Sequence, residues 1–130
     1  MNALKLAGYA AVFNWQDRGG DIIEPGAFAA TLAHSGGFVP LLWQHDPLRP
    51  VGRVVHAAED RRGLRVIAEL EARGDAVRAL RSGAVTGLSF GYRVAASQGQ
   101  RPRRLQVLDL VEVSLVTCPM QPLARVHMAL

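Results

Sequence analysis

Alternation of apolar and polar residues is the main pattern along this chain, and it predicts several short β-strands. The clearest case is residues 64–70, in which apolar side chains fall on one face and Arg65 and Glu69 fall on the other. Residues 51–57 precede this segment across a polar turn, so the two are predicted to form a hairpin. Further strands are predicted at residues 4–13, 38–43, 88–94 and 111–115.

Two short helices are predicted between these strands. Pro25 is well placed to begin a helix over residues 27–33, and the glycines that follow Ser35 end it. A second helix is predicted over residues 74–81, since Val77 and Leu80 would share one buried face. Short strands with few helices indicate a mainly β (α+β) domain, and we predict an antiparallel β-barrel, closed or nearly closed, with the helices packed around it.

Length and composition limit the chain to one globular domain. Its 130 residues are 49% hydrophobic and 20% charged, which suits a single core and predicts one domain over residues 1–130. The single cysteine, Cys118, has no partner for an intramolecular disulfide. No apolar run reaches the roughly 20 residues of a membrane span. The sequence therefore predicts a soluble protein of a reducing, cytoplasmic compartment.

The net charge of +4 comes mainly from arginine, because the chain has fourteen Arg residues and one Lys. These arginines are scattered, whereas a nucleic-acid-binding face would need a basic stripe interleaved with aromatic residues. The one dense cluster, Arg101, Arg103 and Arg104, lies in a stretch that is typical of a surface turn. The charge therefore indicates a solvated surface and no specific nucleic-acid partner.

Four histidines are candidates for chemistry, and none has the spacing to another His, Cys or carboxylate that a zinc site requires. His34, His56 and His127 are predicted to face solvent. His45 differs because it follows an apolar strand, where a rigid scaffold commonly holds catalytic side chains. A loop histidine that merely pairs with Asp46 is the alternative.

Ser89 is the first candidate nucleophile. It lies on the face of its strand opposite Leu88 and Phe90, with Gly87 and Gly91 two positions to either side. Glycines at these positions would leave room above the hydroxyl for the backbone of a bound peptide. A small polar residue on the outer face of a strand is the alternative interpretation.

Glu112 interrupts the most apolar strand of the sequence. A buried carboxylate needs a cation or an imidazole N–H as its partner, and a structural pair with Arg93 would serve as well as one with a histidine. Ser114 projects from the same face and is the rival to Ser89, while the thiol of Cys118 is expected to be buried. A serine, a histidine and a carboxylate on neighbouring strands could act as nucleophile, general base and orienting group.

Six segments, taken in order, resemble the prohead protease family of tailed phages, of the Hong Kong 97 type. They are GYAAVF at residues 8–13, GDIIEPGAF at 20–28, VPLLWQHD at 39–46, PVG at 50–52, GLSFGY at 87–92 and EVSLVTCP at 112–119. The resemblance extends over about residues 8–126. Family members often have a longer N-terminal lead and a C-terminal tail, so a compact member, a processed form and a shortened chain all stay open.

The resemblance implies a serine endopeptidase that acts inside the immature prohead, in the host bacterial cytoplasm. It would remove the scaffolding segment from the major capsid protein precursor and cleave itself. The fold it implies is similar to that of the herpesvirus assembly proteases. Carried over by motif, His45 is the base, Ser89 the nucleophile and Glu112 the acid. A backbone N–H or a cation would stabilise the oxyanion, and a loose analogy with the viral relatives suggests Arg125 for that role. We expect no cofactor, metal or membrane partner, and a homodimer or higher oligomer is left open.

Two further interpretations belong to other classes of protein. A non-catalytic β-barrel module would bind a capsid or scaffold peptide by adding it as a strand to an open edge. A nucleic-acid-binding barrel would need a contiguous arginine face and salt-dependent binding. Hydrogen-bond reach between the His45 ring and the Ser89 hydroxyl favours the enzyme, and a separation well beyond one bridging water favours the binding module.

Overall fold

The computed structural model describes residues 3–71 and 73–129, and these form a mainly β structure with two short helices, as predicted. In chain order the elements are β1 (Ala3–Val12), β2 (Asp21–Ile23), α1 (Ala29–Ser35), β3 (Pro40–Trp43), β4 (Asp46–Glu59), β5 (Gly63–Glu71), α2 (Asp75–Ser82), β6 (Gly87–Gln98), β7 (Arg103–Val116) and β8 (Val126–Ala129). Within those residues, neither helix has the length and apolar character to cross a membrane.

The strands belong to one sheet of order β2-β7-β3-β4-β5-β1-β8, with β6 paired to β7. β6 runs antiparallel to one edge of β7, whereas β2 and β3 share the other edge and run parallel to it. The prediction of an antiparallel arrangement is therefore wrong at these two pairings. Parallel neighbours need a long crossover, and β4, β5, α2 and β6 supply one between β3 and β7.

A closed barrel is not confirmed. The hydrogen-bonded ladder ends at β8, and between β8 and β6 the described residues form one isolated bridge, which joins Gly87 to Arg125. Backbone hydrogen bonds of 2.9 Å from the N–H groups of Leu88 and Val126 flank this bridge. This bridge lies just before β8 (Val126–Ala129), and a single bridge does not make a ladder between β6 and β8.

The β5 strand shows how the alternation in the sequence determines burial. Its side chains at Leu64, Val66 and Leu70 are buried in the core, while Arg65 points to solvent. In the same core, the rings of Phe28 and Phe90 pack edge to face with centroids 5.3 Å apart. One continuous cluster of buried apolar side chains thus forms the core, and side chains of β6 and β7 belong to it.

The edge of β7 that lies between β2 and β3 is covered by the segment leading into α1. The N–H of Leu108 donates to the carbonyl of Ala27 at 2.9 Å, and the N–H of Leu110 donates to the hydroxyl of Thr31 at 3.1 Å. Buried backbone groups need such partners. Hydrogen bonds therefore hold β7 along both edges as far as Leu110, two residues before Glu112.

Two predictions about the surface are corrected. Cys118 is exposed and not buried, because it lies beyond the end of β7 in the turn that leaves the sheet. Arg103 and Arg104 lie in the first residues of β7, and not in the turn with Arg101. The guanidinium of Arg103 makes two hydrogen bonds of 2.9 Å to the carboxylate of Asp21, and this ion pair secures the strand start.

Candidate active site

His45 lies in the two-residue turn that joins β3 to β4. Trp43 pairs with Asp46 across this turn, and the residues between them, Gln44 and His45, have φ angles of 52° and 62°. Positive φ at both central positions is the backbone signature of a type I′ hairpin turn. Residues other than glycine rarely adopt it, so contacts elsewhere in the fold must hold this turn in place.

Hydrogen bonds to the end of β7 supply those contacts. The N–H of Gln44 donates to the carbonyl of Leu115 at 2.9 Å, and the Gln44 side-chain oxygen accepts the N–H of Thr117 at 3.2 Å. The N–H of His45 donates to the hydroxyl of Ser114 at 3.1 Å. These bonds extend the pairing of β3 with β7 beyond the last residue of β3 and fix the His45 backbone to β7.

Glu112 is the partner of the His45 ring. Its Oε1 lies 2.5 Å from Nδ1 of His45, and its Oε2 accepts a 2.5 Å hydrogen bond from the Ser114 hydroxyl. Glu112 is 8% exposed, and a carboxylate buried to this degree requires such partners for its oxygens. The structure therefore brings His45 and Glu112 together, with Ser114 as the third member of one hydrogen-bonded cluster.

The alternative partners suggested by the sequence lie elsewhere. Arg93 stands opposite Asp109 in the ladder between β6 and β7. Asp46 accepts the backbone N–H two residues further along the chain at 2.9 Å. Among the described residues, the basic side chain that contacts the Glu112 carboxylate is that of His45, so the interpretations of a structural Arg93 pair and of a loop histidine held by Asp46 are wrong.

The neighbouring carboxylate raises the pKa of His45. The hydrogen bond with Glu112 is the largest cause, and partial burial of the imidazole opposes it. A raised pKa makes the imidazole a stronger proton acceptor. Because Nδ1 faces Glu112, a neutral ring with its proton on Nδ1 presents an unprotonated Nε2 away from the carboxylate. The side chain is 43% exposed, so a substrate can reach it.

Ser89 faces the cluster from β6. In the antiparallel ladder Ser89 pairs with Ser114, and Gly91 pairs with Glu112. Residues directly opposite each other project from the same face, so Ser89 shares a face with both members of β7. Among the described residues, no hydrogen bond joins the Ser89 hydroxyl to the His45 ring. Catalytic hydrogen bonds are often long in unliganded enzymes and shorten when substrate binds.

Gly87 and Gly91 make room for other parts of this chain. A Cβ at Gly91 would lie 2.5 Å from Oε1 of Glu112, and a Cβ at Gly87 would lie 2.8 Å from the ring of Pro119. Both distances are shorter than real Cβ contacts. Gly91 thus allows the carboxylate to lie against β6, and the admission of a substrate backbone at these glycines stays a prediction.

Arg125 lies beside the start of β6. Its guanidinium donates to the hydroxyl of Thr86 at 2.9 Å and to the carbonyl of Pro122 at 2.8 Å. Thr86 precedes Ser89 by three residues, which places the arginine at the same end of β6 as the candidate nucleophile. Its contribution to an oxyanion site stays a prediction.

Gln44 also contributes to the site, although it is not among the residues predicted from the sequence. Its amide makes two contacts to Thr117, the second a 3.4 Å hydrogen bond to the hydroxyl, and so ties the turn to β7. The available signal was a pair of polar residues between an apolar strand and Asp46, which is typical of a two-residue turn. Over residues 3–71 and 73–129, no group of three or more His, Cys, Asp or Glu side chains is arranged to hold a metal ion.

A serine on the same face as an imidazole that is held by a carboxylate has the components of a serine hydrolase site. The fold is similar to that of herpesvirus proteases. The structure of varicella-zoster virus protease matches with a TM-score of 0.62 at 20% identity, over 92% of this chain and 61% of that one. The KSHV protease in complex with a hexapeptide phosphonate inhibitor matches with a TM-score of 0.64 at 13% identity, over 99% of this chain and 64% of that one.

The chain belongs to the caudovirus prohead serine protease family, whose model matches residues 1–130. The prohead protease of Enterobacteria phage HK97 is 37% identical over 123 residues, which cover 86% of this chain and 54% of that protein. A capsid polyprotein of Pseudomonas phage PAJU2 is 29% identical over 116 residues, 79% of this chain and 17% of that protein. The chain thus spans about half the length of the HK97 relative, and the resemblance found in the six motifs is confirmed.

Proposed function

We propose that this chain is a serine endopeptidase of phage capsid maturation. In this proposal Ser89 is the nucleophile, His45 the general base and Glu112 the residue that orients the imidazole. The observation that carries it is the 2.5 Å contact between His45 Nδ1 and Glu112 Oε1, formed on the face that also bears Ser89. Membership of the prohead serine protease family supports a serine as the nucleophile.

Burial and hydrogen bonding favour Ser89 over Ser114 as the nucleophile. Ser114 has no exposed surface, whereas Ser89 keeps 7% of its surface exposed. The Ser114 hydroxyl also donates its proton to Glu112 and accepts the backbone N–H of His45. An attacking hydroxyl must instead give its proton to the base, so Ser114 is already committed to another partner.

In the proposed mechanism, Nε2 of His45 accepts the Ser89 proton as the hydroxyl oxygen attacks the peptide carbonyl carbon. Glu112 stabilises the imidazolium that forms and holds it through Nδ1. The imidazolium then gives its proton to the departing amine, which leaves an acyl-enzyme ester. Water, activated by the same imidazole, hydrolyses the ester and restores Ser89. Arg125 or a backbone N–H would stabilise the oxyanion, a contribution of about 3–4 kcal/mol.

The proposed substrates are the scaffolding segment of the major capsid protein precursor and the chain itself, inside the immature prohead in the host cytoplasm. The relative in phage HK97 is named a prohead protease. The relative in phage PAJU2 is named a capsid polyprotein. Both names support a substrate from the capsid.

The main test compares Ser89→Ala with Ser97→Ala, an exposed serine on the same strand. Each variant is co-expressed with the cognate capsid precursor, and cleavage is followed by gel and intact mass. We expect Ser89→Ala to slow cleavage by on the order of 10⁶-fold, while Ser97→Ala cleaves at the wild-type rate. A folded Ser89→Ala variant that cleaves normally would show that another residue is the nucleophile.

A covalent probe provides a second measurement that needs no knowledge of the cleavage site. A fluorophosphonate should add once to the wild-type chain, on the tryptic peptide that contains Ser89, and should not add to Ser89→Ala. If the wild type binds the capsid precursor but neither cleaves it nor reacts with the probe, the chain is a peptide-binding module.

A further inference from the structure

Ser114 contacts both Glu112 and the backbone of His45, although it takes part in no step of the mechanism proposed above. It lies in β7 with no exposed surface. Its hydroxyl donates to Oε2 of Glu112 at 2.5 Å and accepts the N–H of His45 at 3.1 Å. A single oxygen atom is thus bonded both to the carboxylate and to the backbone of the candidate base.

The bond to Glu112 controls how the carboxylate is turned. With Oε2 held by Ser114, the other oxygen, Oε1, is directed at Nδ1 of His45. Without that donor, the carboxylate could rotate about its last side-chain torsion, which is broad for glutamate. Ser114 therefore selects the rotation in which the carboxylate meets the ring.

The bond to His45 controls the backbone of the turn. His45 and Gln44 both have positive φ angles, a conformation that persists only where the surroundings hold it. The Ser114 hydroxyl accepts the His45 N–H directly, so it holds the residue whose ring must reach the substrate.

We propose that Ser114 is a positioning residue, which sets the Glu112 carboxylate and the His45 backbone in the mutual geometry that the base requires. The inference rests on the proposed function of His45 and Glu112. Alanine removes both bonds, whereas threonine keeps a hydroxyl that can donate and accept.

Thr31 supplies a matched control. It is also a buried residue, and its hydroxyl accepts the N–H of Leu110, on the same edge of β7, at 3.1 Å. This bond does not involve the His45–Glu112 cluster. Like Ser114→Ala, Thr31→Val therefore removes one buried hydroxyl that accepts a backbone N–H. Unlike Ser114→Ala, it leaves the contacts of His45 and Glu112 unchanged.

The experiment measures the second-order rate of Ser89 labelling by a fluorophosphonate in the full chain, at a temperature where every variant is folded. We expect Ser114→Ala to slow labelling about 10- to 100-fold, by analogy with the loss caused by removing the hydrogen-bond partners of metal-bound histidines. Thr31→Val should stay within threefold of the wild type, and Ser114→Thr should recover most of the rate. Equal slowing in Ser114→Ala and Thr31→Val would overturn the proposal, because it would indicate a purely structural role.

A double variant tests whether Ser114 acts through Glu112. In the Glu112→Gln background, Ser114→Ala should slow labelling by clearly less than it does in the wild type, because the bond to the carboxylate is already altered there and only the bond to the His45 N–H is still lost. A full second loss in that background would contradict the proposal. If Ser114→Ala does not fold, Ser114→Cys keeps the size of the side chain with a weak donor, and a wild-type labelling rate in that variant would equally refute it.

Nuclear magnetic resonance of ¹⁵N-labelled histidine provides a measurement that is independent of activity. The resonance of the proton between His45 Nδ1 and Glu112 should shift or broaden in Ser114→Ala and stay unchanged in Thr31→Val. If the wild type never reacts with the probe, the proposed function fails, and this resonance still tests the positioning. If the wild type reacts, and Ser114→Ala has both a normal rate and a normal resonance, the positioning role alone is refuted.

Discussion

Two carboxylates of almost equal burial meet a basic side chain near opposite ends of β7. The side chains of Asp21 and Glu112 are 12% and 11% exposed. Asp21 meets Arg103 through two 2.9 Å hydrogen bonds, and Glu112 meets His45 through one 2.5 Å contact. Asp21 lies in β2, which runs parallel to β7, and His45 follows β3, which also runs parallel to β7.

The two pairs differ in how the carboxylate oxygens are used and in what the base can do. Arg103 binds both oxygens of Asp21 and carries its charge at every physiological pH, so the pair is closed to proton transfer. Glu112 gives one oxygen to His45 and the other to Ser114, and an imidazole can gain and lose a proton near neutral pH. Burial of an acid therefore does not by itself distinguish a site from a structural pair.

The largest contrast is expected between Glu112→Gln and Asp21→Asn. Glu112→Gln should lower kcat by on the order of 10⁴-fold, as loss of the orienting carboxylate does in other triads. Asp21→Asn should leave kcat within a few-fold of the wild type and lower the midpoint of thermal unfolding. Rates of precursor cleavage and melting curves of both variants check this. Full activity in Glu112→Gln would show that the contact between Glu112 and His45 has only a structural role, like the contact between Asp21 and Arg103.

A smaller effect is expected from a methyl group placed against the Glu112 carboxylate. The Cβ of Gly91→Ala would lie 2.5 Å from Oε1 of Glu112 and must displace it. A shift of about 1 Å in a catalytic group can cost on the order of 100-fold in rate, and we expect a loss of that size in fluorophosphonate labelling. Gly19→Ala, where the nearest atom is 3.4 Å away, is the control. Labelling of Gly91→Ala at the wild-type rate would contradict the assigned role of the carboxylate.

The pH dependence of activity should separate the two pairs again. The base must be neutral to accept a proton, so kcat/KM should fall about tenfold for each pH unit below the pKa of His45. Glu112 raises that pKa above the usual 6.5, which moves the acidic limb to higher pH. In Glu112→Gln the residual activity should have its limb at lower pH, whereas Asp21→Asn should keep the wild-type profile. If the acidic limb of the pH profile lies at the same pH in Glu112→Gln as in the wild type, the carboxylate is not the cause of the raised pKa of His45.

The smallest effect is expected in the pH dependence of stability. Since folding raises the pKa of His45, its pair with Glu112 stabilises the fold below pH 6.5, and this contribution is lost as the pH rises through the raised value. The amount should be below about 1 kcal/mol, because the imidazole is 43% exposed. His45→Gln should therefore be destabilised more at pH 5.5 than at pH 8.5, and Arg103→Gln by similar amounts at both. Denaturant unfolding at the two pH values measures this, and a larger loss for His45→Gln at pH 8.5 would reverse the assigned sign.

The strands of this fold could be predicted from the sequence wherever one face is buried, as on β5. The prediction at residues 111–115 found only the last part of β7 (Arg103–Val116), because the arginines at its start resemble a polar turn. Their place in a strand depends on Asp21, which lies 82 residues away from Arg103. Parallel neighbours were missed for a related reason, since periodicity predicts which way a side chain faces and not which strand lies beside it.

For the candidate site, the need of a buried carboxylate for a partner pointed to Glu112, and the end of an apolar strand pointed to His45. Their pairing could be anticipated as one of two options, because Arg93 was equally acceptable on chemical grounds. The roles of Gln44 and Ser114 in holding the turn could not, since they depend on the register between β3 and β7. Small differences in register decide which hydroxyl meets which backbone N–H.

The pairing of β3 with β7 also determines when the proposed enzyme can begin to act. His45 and Glu112 are 67 residues apart in the chain, and β6 and α2 are made between them. A nascent polypeptide that has left the ribosome only as far as α2 contains the base but neither Ser89 nor Glu112. The proposed site is complete only when β7 lies beside β3. The proposed peptidase therefore cannot act before β7 has been made, because its orienting carboxylate lies on that strand.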